Sequence, residues 1–344
     1  MIHVRNRLVV SVALAGALWS GAAMAQAGGG SEGSGEIPRA LFDGAAEFSA
    51  EGVSTPPPQS DPDEAGRDLD LDPEALKQSY GTVTRSRTGE ETREPASEDV
   101  LRTLGDLLSP DESSDRQVFG EDDRVQVTQT TGYPFRVFGL LQGLDEKEEY
   151  LYNCSGTLIG PRTVLTAAHC VYKHDEGGWL KDLVFVPGLA SPTDIPFQAW
   201  PWESAHIVEG YITNYKGYYG SVVPWDLAVV VLQHEIGEYL GWLDVAHDPN
   251  LGDFHANIIG YPSDKPEYTM WRATCDVSKT DIKEDTFSYF CDTYAGSSGS
   301  SVYKYDPQAQ SRVVYGVNVS ESPLGNTAVR INETYLNWIK ERVK

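Results

Sequence analysis

The sequence predicts an all-β fold of short antiparallel strands that ends in one helix. From about Gln117 onward, short β-rich runs recur with Gly, Pro, Asn and Asp between them, and no helical pattern intervenes. This pattern of short strands and turns is typical of a β-sandwich or a β-barrel. Over 333–343 the apolar residues instead recur at helical spacing, and basic residues gather near the end, where they suit the helix dipole. The predicted strands are 124–130, 133–141, 156–159, 163–167, 183–186, 227–232, 257–261, 302–305, 313–319 and 327–331.

Composition excludes two classes of partner. The 344 residues include 51 acidic and 27 basic ones, which gives a formal net charge of −24. Binding to nucleic-acid backbones or to anionic lipid surfaces needs clustered Lys and Arg, so we expect no nucleic-acid partner and no membrane partner for the processed protein. Hydrophobic residues make up 40% of the chain, enough to bury a sizeable core.

The first 25 residues have the form of a secretory signal peptide. Arg5 and Arg7 form a basic start, an apolar run follows, and Ala23-Met24-Ala25 has the small-x-small pattern of a cleavage site. An N-terminal membrane anchor is the alternative, which the short apolar run disfavours. The sequence therefore predicts a secreted protein, extracellular or periplasmic, in which disulfides persist.

Residues 26–116 differ from the rest of the chain. They hold 21 acidic and 8 basic residues, open on a glycine-rich stretch and include three consecutive prolines at 56–58. Apolar groupings occur at 75–80 and 100–108, the second with the spacing of one amphipathic helix. One short helix cannot build an independent core, so we expect a mostly disordered segment. It is either an acidic linker or a removable pro-segment, and the region that follows favours the pro-segment.

One histidine has an informative setting. His169 follows the strand-like run 163–167 and precedes Cys170. A bridge between Cys154 and Cys170 would close a loop around it, which the chain-entropy argument values at ~3 kcal/mol. A metal site is the competing interpretation, and it lacks a second ligand pair at zinc-site spacing. Taken alone, His169 is equally well interpreted as a structural histidine.

The second feature is Gly296-Ser297-Ser298-Gly299-Ser300. Glycines around a serine allow a sharp turn and leave backbone N–H groups pointing at one place. Such a nest can stabilise the oxyanion of a tetrahedral intermediate while the serine oxygen attacks. A Gly/Ser surface turn is the alternative. The run is not the G-x-S-x-G elbow, because Gly299 follows Ser298 directly.

The third feature is Asp226, which heads the apolar run 227–232. An aspartate at the start of a strand is often only a turn residue. A carboxylate close to a buried histidine would instead fix the tautomer of the ring and stabilise its protonated form.

Together the three features resemble the chymotrypsin-like (trypsin-like) serine proteases. The run TAAHC (166–170) matches the histidine motif of that family, and GSSGS (296–300) stands where the family has G-D-S-G-G. Serine replaces both the aspartate and the last glycine of that motif. The chain is more similar to the bacterial glutamyl-endopeptidase (V8-like) branch. The runs that carry this similarity are VFGEDDR (118–124), TGYP (131–134), LIGPRT (158–163), IGYP (259–262) and DTY (292–294).

The resemblance implies a double six-stranded antiparallel β-barrel with a C-terminal helix, preceded by the largely disordered pro-segment. It implies His169 as general base, Asp226 as its orienting carboxylate and Ser298 as nucleophile. The amides of Gly296 and Ser298 would form the oxyanion hole.

The implied activity is hydrolysis of peptide bonds in protein or peptide substrates by a monomer, through an acyl-enzyme and without a metal or organic cofactor. The mature chain would begin near Val118, so the protease domain spans 117–344 and cleavage follows Arg116 or Gln117. A catalytically silent barrel that binds protein partners is the alternative function.

Specificity stays open at the sequence level. The V8-like branch uses a histidine to hold the substrate glutamate, and Asn318, in the same run as Ser320, stands at that position without a charge. Thr293 is a retained wall residue of the substrate pocket. Asp292 corresponds to the pocket floor of trypsin-like enzymes, where a carboxylate favours Arg or Lys. The substrate residue before the cleaved bond (P1) is therefore predicted as Glu, basic or small.

Two further positions bear on the same pocket. Glu321 lies near it and would add to a preference for basic residues. Cys275 and Cys291 flank a 15-residue stretch before the serine loop, and a disulfide there would brace the pocket wall. Free thiols are the alternative, which export disfavours.

Overall fold

The computed structural model describes residues 73–102, 121–147, 151–321 and 325–344. The predicted signal peptide, most of the acidic segment and the predicted cleavage sites after Arg116 and Gln117 lie outside these ranges. In the described residues two antiparallel sheets carry most of the chain. The strands are β1 (Thr82–Ser86), β2 (Glu91–Glu94), β3 (Val125–Gln126), β4 (Phe138–Leu144), β5 (Leu151–Leu158), β6 (Thr163–Thr166), β7 (Tyr172–Lys173), β8 (Gly178–Trp179), β9 (Asp182–Pro187), β10 (Trp200–Val208), β11 (Ala228–Leu232), β12 (Asp244–Val245), β13 (Phe254–Gly260), β14 (Trp271–Val277), β15 (Thr286–Tyr289), β16 (Ser301–Asp306), β17 (Ser311–Ser320) and β18 (Asn326–Arg330).

Helices are few and short. Short 3-10 helices precede β4, follow β6, lead into β11 and follow β14. The α-helices are α1 (Pro73–Ser79), α2 (Glu98–Arg102), α3 (Glu209–Thr213), α4 (Gly237–Leu240) and α5 (Glu333–Lys340). Helix α5 confirms the predicted C-terminal helix, and its N-cap Asn332 accepts a hydrogen bond from the Tyr335 amide. No helix in the described part of the chain is long and apolar enough to cross a membrane.

Six strands of the first sheet close into a barrel. Their order is β11-β6-β5-β4-β9-β10, and β10 pairs back with β11. All five residues of β11 are buried, because one face fills the barrel and the other is covered. At Gly139 of β4 an added Cβ would lie 2.5 Å from the Phe185 ring, so this position admits only glycine at the observed strand spacing.

The second sheet is a six-strand half-barrel. Its order is β15-β18-β17-β16-β13-β14, with β3 outside β14. Among the described residues, no ladder joins β14 to β15. The Cys275–Cys291 disulfide spans this seam instead, from within β14 to just beyond β15. The double six-stranded architecture predicted from the sequence is therefore confirmed as one closed barrel beside a half-barrel.

Most predicted strands are present. Six strands of the two sheets lie outside the predicted runs, namely β1, β2, β10, β12, β14 and β15. Strand β10 contains Pro201 and Glu203, which hide its pattern, and its pairing with β11 is irregular between Trp202 and Ser204. Strand β15 lies inside the stretch between the two cysteines, so that stretch forms part of the sheet.

Residues 73–102 lie within the segment that is predicted to be mostly disordered, and the structure gives them regular elements. These residues form α1, β1, β2 and α2, and the two strands extend the first sheet beyond β10. Tyr80, Val83 and Val100 are buried at 1%, 0% and 0% exposure. The segment has no core of its own, as the composition indicated, and it becomes ordered by packing on the barrels.

Candidate active site

His169 and Asp226 meet because their strands are neighbours. His169 follows β6 in the 3-10 helix Ala168–Cys170, and Asp226 stands just before β11. Strands β6 and β11 pair with Ala228 opposite Thr166, so the two residues lie at the same end of the sheet. The His169 Nδ1 to Asp226 Oδ2 distance is 2.6 Å, and the His169 amide donates to Oδ1 at 2.8 Å. The confirmed Cys154–Cys170 disulfide ties the short helix to β5.

The bond between His169 and Asp226 fixes which nitrogen of the imidazole ring carries the proton. A carboxylate only accepts hydrogen bonds, so the proton lies on Nδ1 and the lone pair on Nε2. Nε2 is buried and has no hydrogen-bond partner among the described residues. This is the tautomer that a general base needs, because the nitrogen away from the carboxylate is free to accept a proton.

Tyr219 is a third member of this cluster that the sequence analysis did not identify. Its hydroxyl donates to Asp226 Oδ2, and its ring stands edge-on to His169 with centroids 5.8 Å apart. Burial, and next the charge of Asp226, raise the pKa of Tyr219 well above its ordinary value. The fully buried carboxylate thus accepts from the His169 amide, the imidazole and a phenol, which compensates its loss of hydration. No local pattern distinguishes Tyr219 from Tyr218.

Two glycines shape the loop that carries Ser298. Gly296 and Gly299 have φ values of +93° and +83°, in the left-handed region that favours glycine. A side chain at Gly296 would collide with the Tyr261 carbonyl, and one at Gly299 with the Thr166 hydroxyl. Because Thr166 lies three residues before His169, the serine loop and the histidine occupy the same junction between the two sheets.

Ser155 of β5 ties the serine loop to the first barrel. Its amide donates to the Ser298 carbonyl at 2.8 Å, and its hydroxyl donates to the Gly296 carbonyl at 2.8 Å. The same hydroxyl accepts from the Tyr261 amide at 3.0 Å. The structure therefore places Ser298, with 2% exposure, beside the strand that holds one end of the Cys154–Cys170 disulfide.

Two backbone amides of the serine loop are available to donate hydrogen bonds to a ligand. The Ser297, Gly299 and Ser300 amides donate to backbone carbonyls at 2.8–3.0 Å. Within the described residues, the amides of Gly296 and Ser298 donate to no acceptor. These are the two amides that the sequence predicts for an oxyanion hole.

The predicted pocket residues Asp292, Thr293, Asn318 and Ser320 are all buried. Asn318 uses both ends of its amide internally: Oδ1 accepts from the Tyr289 hydroxyl, and Nδ2 donates to the Ser297 carbonyl at 3.1 Å. Its side chain therefore holds the serine loop.

The described part of the run 118–124 docks beside this pocket. The Asp123 amide donates to Asp292 Oδ2 at 3.1 Å. The adjacent Arg124 guanidinium pairs with both Asp122 and Asp264, so its charge is already compensated. Its side chain is 3% exposed.

Glu321 and Thr293 carry polar atoms without partners. Glu321 Oε1 and Thr293 Oγ1 are buried and have no hydrogen-bond partner in the described ranges. Burial raises the pKa of Glu321 to about 7, and the nearby Thr293 hydroxyl and Arg124 charge offset that rise only in part. A buried carboxyl with an unpartnered oxygen is a common feature of sites that bind a ligand.

One cluster has the residue types of a metal site. Ligand atoms of Cys154, His169 and Cys170 lie within 4.8 Å of one another in the part of the chain that the structure describes. Both sulfurs are in the disulfide, and His169 Nδ1 is bonded to Asp226. The donor set does not fit a metal ion, because zinc needs thiolates and a free ring nitrogen.

A barrel paired with a half-barrel, with a bonded His–Asp pair and a glycine-shaped serine loop at their junction, is the architecture of a trypsin-like serine protease. The family model described as Trypsin matches residues 125–339, and the chain belongs to this family. It is a serine endopeptidase of the glutamyl-endopeptidase (V8-like) branch.

The branch rests on named relatives. A glutamyl endopeptidase of Bacillus licheniformis is 28% identical over 264 residues, covering 74% of this chain and 75% of the relative. A Bacillus subtilis protein named "Extracellular metalloprotease" is 27% identical over 226 residues, covering 65% of this chain and 68% of its own. A solved structure of a Glu endopeptidase in complex with MPD has a TM-score of 0.56 and 23% identity, covering 65% of this chain and 98% of the solved one. The last comparison supports the fold.

Proposed function

We propose that this chain is a secreted serine endopeptidase, made as a zymogen, in which Ser298, His169 and Asp226 form the catalytic triad. The observation that carries the proposal is the 2.6 Å bond between His169 Nδ1 and Asp226 Oδ2, which leaves Nε2 as the unpartnered base. It acts on protein or peptide substrates as a monomer.

The chemistry follows from the protonation states. Ser298 Oγ attacks the peptide carbonyl carbon while His169 Nε2 takes the hydroxyl proton. Asp226 stabilises the imidazolium, and the free amides of Gly296 and Ser298 stabilise the oxyanion. The imidazolium returns the proton to the leaving amine as the C–N bond breaks. Water then hydrolyses the acyl-enzyme through the same base and regenerates the serine.

Labelling with a fluorophosphonate tests the nucleophile. Ser298→Ala should lose both labelling and peptidase activity, because no alkoxide forms. Ser297→Ala is the matched control: it removes a neighbouring hydroxyl in the same loop and should keep the labelling. Labelling that survives in Ser298→Ala, or wild-type protein that is never labelled, contradicts the proposal; the second result favours a silent, protein-binding barrel.

The zymogen step predicts where the mature chain begins. Cleavage after Arg116 or Gln117 would free a start near Val118, in the run that resembles the mature terminus of the branch. N-terminal sequencing of the secreted protein should find this start. A protein that begins near Gln26 and is fully active contradicts the removable segment.

For P1 we propose a basic residue. Asp292, at the predicted pocket floor, and Glu321 near it are both buried carboxyl groups, and among the described residues Glu321 Oε1 and Thr293 Oγ1 have no hydrogen-bond partner. Arg124, the nearby cation, is already paired with two aspartates. A P1 lysine or arginine would supply the missing donors, whereas a P1 glutamate would add a third acid without a free cation. This differs from the glutamate in the names of the relatives.

A peptide library that varies only P1 tests this. We expect kcat/KM for Arg or Lys to exceed that for Glu by about tenfold or more, the scale of one charge-assisted hydrogen bond. Glu321→Gln should reduce that ratio while active-site labelling persists. A library profile dominated by Glu contradicts the P1 proposal and leaves the triad proposal standing.

A further inference from the structure

We propose that residues 73–102 remain bound after the zymogen is cut, as a non-covalently held second chain of the mature enzyme, and that they position the helix leading to Asp226. This rests on the proposed processing near Arg116. We call these residues the N-terminal clamp. The name covers α1, β1, β2 and α2.

The clamp fills an edge of the first barrel. Strand β10 bonds to β9 only at Trp200 and Pro201, and its opposite edge bonds to β11. Strand β1 continues where β9 stops, with Thr82 opposite Val208 and Ser86 opposite Ser204. Without the clamp, the edge of β10 over residues 204–208 would be uncovered and its outward backbone groups unpaired, which is an aggregation hazard that proteins cover.

The clamp also contributes an aromatic residue to the core between the two sheets. Tyr80, at 1% exposure, packs edge-on against Trp225 at 4.9 Å and Tyr335 at 5.6 Å between centroids. Its hydroxyl lies 3.4 Å from Asp285 Oδ1, at the start of β15. One clamp residue thus contacts the first barrel, the half-barrel and α5. A truncation there would leave a large cavity in the packed core, which destabilises the surrounding side chains.

A second set of contacts joins the clamp to α5. Trp338 Nε1 donates to the Thr82 hydroxyl at 3.0 Å, and Val100 of α2 is fully buried. The Ser97 hydroxyl bonds to Glu341 just beyond the helix. These contacts hold both ends of the clamp, so it does not depend on a single strand pair.

The clamp reaches the catalytic carboxylate through one intermediate element. Trp225, against which Tyr80 packs, is the last residue of the 3-10 helix Tyr219–Trp225 and directly precedes Asp226. The Tyr335 hydroxyl holds the Pro224 carbonyl of the same helix at 2.5 Å. An added Cβ at Gly210 would meet both Trp225 and Ser79 of the clamp, so the three pack without spare room. Loss of Tyr80 should therefore let Asp226 and Tyr219 shift.

The predicted cut would spare all these contacts. Arg116 lies beyond the last clamp residue, Arg102, and before Glu121, where the structure resumes. The clamp residues that make the strand pairing, the ring contacts and the helix contacts all lie on the N-terminal side of the cut, and their partners lie in the protease domain. A nick of the backbone at that place removes none of them.

Native and denaturing mass measurements on the secreted, processed protein test retention. We expect a fragment containing residues 73–102 to co-elute with the protease domain at a one-to-one ratio, and to separate only in denaturant. Fully active protease domain without that fragment overturns the proposal. N-terminal sequencing reports the cut separately, so an uncut chain contradicts the processing step, and the variants below then test the packing by itself.

Substitutions at Tyr80 test positioning. Tyr80→Ala should lower kcat about tenfold per fluorophosphonate-titrated site, with KM changed less than twofold, and should shift the kcat–pH profile. Tyr80→Phe keeps the ring, so its kcat and its kcat–pH profile should match those of the wild type. Thr92→Ala on exposed β2 is the control and should change neither. A Tyr80→Ala protein that is only less stable, with normal kcat per titrated site and an unshifted pH profile, overturns the positioning role.

Discussion

The two sheets hold their parts of the site in different ways. The first is a barrel closed by backbone hydrogen bonds, and it holds His169 and Asp226 on neighbouring strands, already bonded at 2.6 Å. The second is a half-barrel whose seam is crossed by a disulfide, and it presents Ser298 on a loop shaped by two left-handed glycines. The proposed base and its carboxylate partner are thus held within one sheet, whereas the proposed nucleophile is presented by the other.

Alignment across the junction depends on a small number of contacts. Ser155 of the first barrel bonds to Ser298, Gly296 and Tyr261 of the half-barrel. We therefore expect changes in the first barrel to affect catalysis through proton transfer at His169, and changes in the half-barrel to affect it through the alignment of Ser298.

The largest effect should come from the rigid pair. Asp226→Asn should lower kcat by about 10⁴-fold, because the amide favours the wrong imidazole tautomer. Tyr219→Phe removes only one donor to the same carboxylate and should cost about tenfold, the lower end for a hydrogen bond to a charged group. Steady-state kinetics with a matched fluorophosphonate titration measures both. Equal effects of the two variants would contradict the ranking.

The two disulfides permit a direct test of the seam. Both join cysteines 16 residues apart, so the chain-entropy argument assigns each about 3 kcal/mol of unfolding free energy. Besides this loss of unfolding free energy, replacing Cys275 and Cys291 by alanine should raise KM, because the seam lies beside Asp292. Replacing Cys154 and Cys170 should instead lower kcat, because that bridge holds the helix of His169.

Urea unfolding and kinetics on both double variants measure these losses. If the two double variants changed KM and kcat in the same proportions, the two disulfides would not have the separate roles in substrate binding and catalysis that we expect.

The junction can be weakened at one atom. Ser155→Ala leaves the buried Tyr261 amide and Gly296 carbonyl without their partner, which should lower the unfolding free energy by about 1–3 kcal/mol and reduce kcat. Thr157→Val on the same strand is the matched control. The Thr157 hydroxyl is buried with no partner in the described residues, so its loss should be neutral or stabilising. A greater loss in Thr157→Val than in Ser155→Ala would argue against the role of Ser155.

The smallest effect on catalysis is expected from a pH dependence of stability at the half-barrel. Burial raises the pKa of Asp285 to about 7 from an unfolded value of 3.8, so the folded state binds more protons between about pH 4 and pH 7. The unfolding free energy should therefore fall as pH rises through this window. Asp285→Asn removes that fall and should be more stable than wild type above pH 7. Thermal unfolding at pH 4, 6 and 8 checks it; parallel curves for the two proteins would count against it.

Sequence patterns were sufficient where the chemistry is local. The runs around His169 and Ser298, the aspartate before β11 and the two cysteine pairs each lie within a few consecutive residues. The missed strands lack a clear local pattern: β10 contains a proline and charged residues, and β1 pairs with the edge of β10, which is far away along the chain. Ser155 and Tyr219 match no local pattern, because the side-chain partners of Ser155 lie 106 and 141 positions away and Tyr219 acts through the direction of its ring and hydroxyl.

The sequence alone determined the family, the residue types of the site and the C-terminal helix, because spacing and composition act over short stretches of chain. Only the tertiary structure decided that the second barrel is half closed, that Glu321 Oε1 is buried without a hydrogen-bond partner among the described residues, and that residues 73–102, which have no core of their own, are ordered. Each of these depends on which surfaces meet, and burial and hydrogen-bond satisfaction are properties of that meeting.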